Sequence, residues 1–101
     1  MPKFMKVAAV GELKPGENKV VSVDGTEVAL FNVDGSFYAL GNTCPHRGGP
    51  LGEGYLEGDV VTCPWHGWRF NVKTGHNVIM PAKVPSYKVK VEGDDVMVSL
   101  D

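Results

Sequence analysis

Two short stretches, CPHRGG at residues 44–49 and CPWHGW at residues 63–68, each carry one cysteine and one histidine. Together they hold both cysteines of the chain and two of its three histidines, so the metal-binding chemistry is concentrated in them. The pattern reads C-x-H, then sixteen residues at positions 47–62, then C-x-x-H. A zinc finger gathers its two cysteines in one arm and its two histidines in the other. Here each arm mixes one of each, which points away from zinc. Mixed arms suit a two-metal centre in which one metal takes both thiolates and the other both imidazoles. Each loop then touches both metals, and the chain has to fold so that the loops meet.

The segments around these loops read as strands. FMKVAAV at 4–10 is an apolar run of strand length, and GELKPGEN at 11–18 carries the Pro-Gly punctuation of a turn. KVVSV at 19–23, TEVALFNV at 26–33 and SFYAL at 36–40 are separated by two Asp-Gly pairs. Asp-Gly favours the tight hairpin turn in which both central residues take positive φ, so an antiparallel meander is expected. LGEGYLEGD at 51–59 is glycine-rich, and VVT at 60–62 leads as a strand into the second loop. WRFNV at 68–72 and HNVIM at 76–80 are expected as further strands, while the two prolines of MPAKVPS at 80–86 mark a connection. In YKVKVEGDDVMVSL, Tyr87, Val89 and Val91 alternate with charged residues, and Val96, Val98 and Leu100 resume the alternation after Gly93-Asp94. That is a terminal hairpin with one buried face. No stretch of ten residues shows a helical period, so the chain is read as all-β, built of antiparallel sheet.

At 101 residues, with 43% hydrophobic and 22% charged, the chain is expected to form a single domain over residues 1–101 with one core. The apolar stretch near the N-terminus is too short for a signal-peptide core or a membrane span, so no membrane association and a cytoplasmic location are expected. The net charge of -2 and the lack of a lysine or arginine run argue against nucleic acid as a partner. If both cysteines serve as thiolate ligands, none remains for a disulfide, which fits a reducing compartment.

CPHRGGPL followed by TCPWHGWRF resembles the two cluster-binding loops of the Rieske family, and most closely those of its small soluble ferredoxins. The resemblance implies a Rieske iron-sulfur domain, antiparallel sheets forming a partly open barrel, with cluster-binding loops at about 43–50 and 62–69. It implies one 2Fe-2S cluster per chain, with Cys44 and Cys63 on one iron and His46 and His66 on the other. The implied role is a soluble one-electron carrier, not an enzyme. It would take electrons from a flavin-dependent ferredoxin reductase and pass them to a terminal oxygenase, as in bacterial catabolism of aromatic hydrocarbons by ring dioxygenases. The alternative of another class is a small subunit built into a larger oxidoreductase such as nitrite reductase. Membrane-complex members of the family carry an extra, disulfide-linked cysteine in each loop. This chain has Gly49 and Trp65 there, which places it with the ferredoxin-like branch.

Histidine ligation makes the oxidised cluster roughly neutral, which lifts the potential into a window of about -150 to +300 mV. High-potential relatives add a serine and a tyrosine hydroxyl after the second His-Gly. This chain has Trp68 and Phe70 at those positions, so a potential near the low end, about -150 mV, is expected. The outward imidazole N–H groups imply a potential that falls at high pH. Other residues carry two readings each. Arg47 is a docking contact or a solvated arginine, Trp65 covers the cluster or offers an apolar contact, and Pro81 belongs to a shielding loop or a plain connection. Trp68 and Phe70 are read as core, and His76 as an exposed strand residue. A mononuclear catalytic iron needs more histidines than His76 supplies.

Overall fold

The computed structural model describes residues 3–44, 48–65 and 67–100. His46, His66 and Arg47 lie outside the described residues. Among the described residues, nine strands form two antiparallel sheets: β1 (Phe4–Ala9), β2 (Asn18–Val23), β3 (Thr26–Val33), β4 (Ser36–Gly41), β5 (Tyr55–Glu57), β6 (Val60–Thr62), β7 (Arg69–Asn71), β8 (Ser86–Glu92) and β9 (Asp95–Ser99). The larger sheet has the order β1-β9-β8-β4-β3-β2, and its two edge strands approach one another, so it nearly closes into a barrel. The smaller sheet, β5-β6-β7, carries the second cysteine loop between β6 and β7.

The β2–β3–β4 meander follows from its turns. Asp24 and Gly25 have φ of 50° and 82°, and Asp34 and Gly35 have 52° and 92°, the paired left-handed geometry of two-residue hairpins. The turns fix the register at Val23↔Thr26 and Val33↔Ser36. That register decides which side chains reach which core. Val28 and Leu30 of β3 join Ala8, Leu13, Val21, Val23, Val96 and Val98 inside the larger sheet. Ala29 and Phe31, pointing the other way, join Leu40, Leu51, Val61, Phe70, Val72, Val84 and both cysteines. β3 is therefore covered on both faces, which is why its sequence is continuously apolar at 28–31 instead of alternating. The second cluster fastens the small sheet to the large one.

Three local expectations are corrected. Residues 76–80 do not form a strand; they make two isolated bridges, Phe70↔Asn77 and His76↔Lys83. The Asn77 side chain takes the amides of Ile79 and Met80, both at 2.9 Å, and this turn diverts the backbone from the ladder. Tyr55–Glu57 is a strand hidden in the glycine-rich segment, stabilised by pairing with Val60–Thr62. In β8 the expected buried face stops short: Tyr87 and Val89 are half-buried, but Val91 is 48% exposed.

Candidate metal centre

The two cysteine loops are closed alike in their described residues. In the first, the Cys44 amide donates to the Gly49 carbonyl at 2.9 Å. In the second, the Cys63 amide donates to the Trp68 carbonyl at 2.7 Å, again five residues on. Four residues after each cysteine stands a glycine, Gly48 or Gly67, each with φ of 75°, a left-handed conformation that turns the chain back at little strain for glycine. The first loop is closed further by the Thr43↔Pro50 bridge and by Gly48 donating to the Cys44 carbonyl at 2.8 Å. The signal for this equivalence is in the sequence as two copies of C-P-x-x-G, at 44–48 and 63–67.

Both cysteines are free thiols, each 1% exposed, packed in the same apolar cluster. Burial pushes the Cys63 thiol above its ordinary range, and the neighbouring Cys44 raises it further, against the opposing effect of the Trp65 amide donating to its sulfur. Two adjacent buried sulfurs without a disulfide, one of them already met by a backbone N–H, form a donor set suited to a soft metal, whose charge would hold both as thiolates. The lack of a side chain at Gly49 lets the first loop's backbone pack directly against the second cysteine. A Cβ on Gly49 would lie 2.7 Å from Cys63 Sγ and 3.0 Å from Trp65 Cγ. The residues present therefore fit a thiolate-bound metal group, one cysteine coming from each loop.

Trp65 lies against Gly49, beside the Cys63 sulfur, with half its surface (50%) exposed, so it presents an apolar face to solvent. Trp68 and Phe70 are core as expected, with Phe70 fully buried and Trp68 packed beside it at 6.4 Å between ring centroids. The segment 77–82 lies along β7, with the Val78 amide on the Arg69 carbonyl at 3.0 Å. Val78, Ile79 and Met80 are exposed there, next to the strand that leaves the second cysteine loop. Pro81 and His76 are exposed. Among the described residues, Cys44 and Cys63 are the expected ligands that the structure brings together.

Residues 3–98 match the family model described as Rieske [2Fe-2S] domain. The biphenyl dioxygenase ferredoxin subunit of Pseudomonas sp. (strain KKS102) is 45% identical over 98 residues, covering 94% of this chain and 90% of that protein. A solved structure of the complex of reduced oxygenase and oxidised ferredoxin in carbazole 1,9a-dioxygenase contains a chain 36% identical, with a TM-score of 0.88 over 95% of this chain and 92% of that one. A structure described as an NADH-dependent nitrite reductase small subunit from Mycobacterium tuberculosis is 28% identical, with a TM-score of 0.93 over 100% of this chain and 97% of that one.

Proposed function

We infer, for a chain that belongs to the Rieske [2Fe-2S] family and serves as an electron carrier with a 2Fe-2S cluster, that Cys44 and Cys63 hold one iron and His46 and His66 the other. The cluster, when bound, supplies reversible one-electron chemistry at a potential raised by imidazole ligation. The protein sets its conditions. The paired loops bring one thiolate each, the Trp65 amide donates to the Cys63 sulfur, and the apolar cluster around Phe31, Leu51 and Phe70 excludes water.

The donor is a flavin-dependent ferredoxin reductase and the acceptor a terminal oxygenase acting on an aromatic ring. The setting is the cytoplasm; no helix among the described residues is long and apolar enough to cross a membrane. An exposed indole beside the buried thiol supports this role. Cys63 is buried, yet Trp65, two residues on, is 50% exposed and lies over the same Gly49. A partner seated on that indole comes within a few side-chain thicknesses of the cluster. A small apolar contact of this kind suits the brief encounters of redox partners. A permanent nitrite reductase subunit shares the fold, but the greater identity is to a dioxygenase ferredoxin subunit, at 45% against 28%.

Rapid mixing of the reduced protein with a terminal ring-hydroxylating oxygenase tests this. Reoxidation in one fast phase that saturates with oxygenase concentration is expected. Trp65→Ala should weaken the encounter about tenfold, equivalent to about 1.4 kcal/mol. Reoxidation no faster than with an unrelated protein would exclude the oxygenase role.

A further inference from the structure

The two cysteine loops are joined by residues 50–62, and two asparagine side chains fasten the start of that segment to the main sheet. Asn42, 5% exposed and just past the end of β4, receives the Leu51 amide on its backbone carbonyl and the Gly52 amide on Oδ1, both at 2.8 Å. Asn18, the first residue of β2, donates Nδ2 to the carbonyls of Gly52 at 2.8 Å and Gly54 at 3.1 Å. The N–H of Gly52 is thus held by one asparagine and its C=O by the other. The fit is close, since a Cβ on Gly52 would lie 2.7 Å from Val20 Cγ2 and 2.8 Å from the Lys19 carbonyl oxygen. On the opposite side, a Cβ on Gly54 would collide with the carbonyl oxygen of Thr62, the residue before Cys63. The short 3-10 turn Leu51–Glu53 is therefore fixed to the sheet beneath it and abuts the root of the second cysteine loop.

We propose that Asn18 and Asn42 are positioning residues for the cluster, clamping the turn Leu51–Glu53 so that the two cysteine loops keep the spacing the metals require. They act through the backbone and touch no metal. The proposal rests on the ligation set out above. A merely structural asparagine in the same sheet offers the contrast. Asn32, 3% exposed, donates to the Leu13 carbonyl at 2.8 Å and accepts the Gly35 amide at 2.8 Å. Its bonds serve the N-terminal segment and the β3–β4 turn, not the turn between the cysteine loops.

The test compares wild type, Asn18→Asp, Asn42→Ala and Asn32→Ala, each purified anaerobically with its cluster. Asn18→Asp keeps the size but turns carboxylate oxygens toward two carbonyls. Each protein is exposed to a ferrous-iron chelator well below its own melting temperature. Bleaching of the visible absorbance is followed, and the electron paramagnetic resonance spectrum of the reduced form is recorded. Asn18→Asp and Asn42→Ala are expected to bleach about tenfold faster than wild type, the lower end of what supporting residues contribute to metal retention, with shifted g values. Asn32→Ala should melt lower yet bleach at the wild-type rate with the wild-type spectrum. Wild-type rates and spectra in the first two variants, or equal acceleration in Asn32→Ala, would overturn the proposal. If Asn42→Ala does not fold, Asn18→Asp alone decides. A wild-type protein without any cluster would sink the ligation itself, and the proposal with it.

Discussion

Cys63→Ser is expected to give a folded but colourless protein with essentially no bound iron after anaerobic purification. A serine hydroxyl does not ionise near neutral pH, so the substitution removes one of two thiolates and with it the anchor of one loop. The Cys63 side chain is 1% exposed in a cluster that includes Phe31, Leu51 and Phe70, and the smaller oxygen fits that space. Strands pinned by the Asp-Gly turns and by the Val28–Leu30 core do not depend on the sulfur, so the β-rich circular dichroism should persist. What should fall is the melting temperature relative to the cluster-bound wild type, because a group that binds only the folded state stabilises it. Visible absorbance, iron content and thermal melting check this together. Stoichiometric iron and wild-type colour in the variant would remove Cys63 from the ligand set.

Gly49→Ala should loosen the cluster by adding one methyl group. A glycine outside the left-handed region ordinarily gains up to about 1 kcal/mol from alanine, through a less flexible unfolded chain. At position 49 the added Cβ would stand 2.7 Å from Cys63 Sγ, and overpacking of this kind costs about 1–3 kcal/mol, so the unfavourable effect wins. The sulfur has little room to yield, because the Cys63 amide is tied to the Trp68 carbonyl at 2.7 Å and its side chain is buried. The added Cβ would also press on Trp65, at 3.0 Å from Cγ and 3.1 Å from Cβ. Cluster loss to a chelator should accelerate at least about tenfold. Gly25→Ala provides the comparison. It meets nothing within 4 Å but has φ of 82°, so it should lower stability by about 1–2 kcal/mol and leave cluster retention unchanged. Equal retention in Gly49→Ala and wild type would show that the loops are not packed as described.

The parts of this fold that rest on local chemistry were legible in the sequence. Asp24-Gly25 and Asp34-Gly35 specify their hairpins because the turn geometry is set by the two residues in the turn. That the two cysteine stretches meet was legible because each carries one cysteine and one histidine, a donor set that a single metal centre would draw together. The pairing of Tyr55–Glu57 was not, since a three-residue strand among glycines is stabilised by its partner and carries no period of its own. Residues 76–80 misled for the opposite reason. His-Asn-Val-Ile-Met has strand composition, but the Asn77 side chain takes the two amides a ladder would need. Asn18 and Asn42 left no signal either, because their acceptors and donors are backbone groups of Gly52 and Gly54, and backbone groups have no sequence identity.

A Rieske cluster held by two histidines and two cysteines, without the hydroxyl donors of high-potential relatives, should sit low in its potential window. Redox titration of the anaerobically purified protein at neutral pH, read by visible absorbance, tests it most directly. A single one-electron transition near about -150 mV is expected. A midpoint near about -400 mV, the range of clusters held by cysteine alone, would contradict histidine ligation, and a midpoint far above zero would contradict the roles given to Trp68 and Phe70.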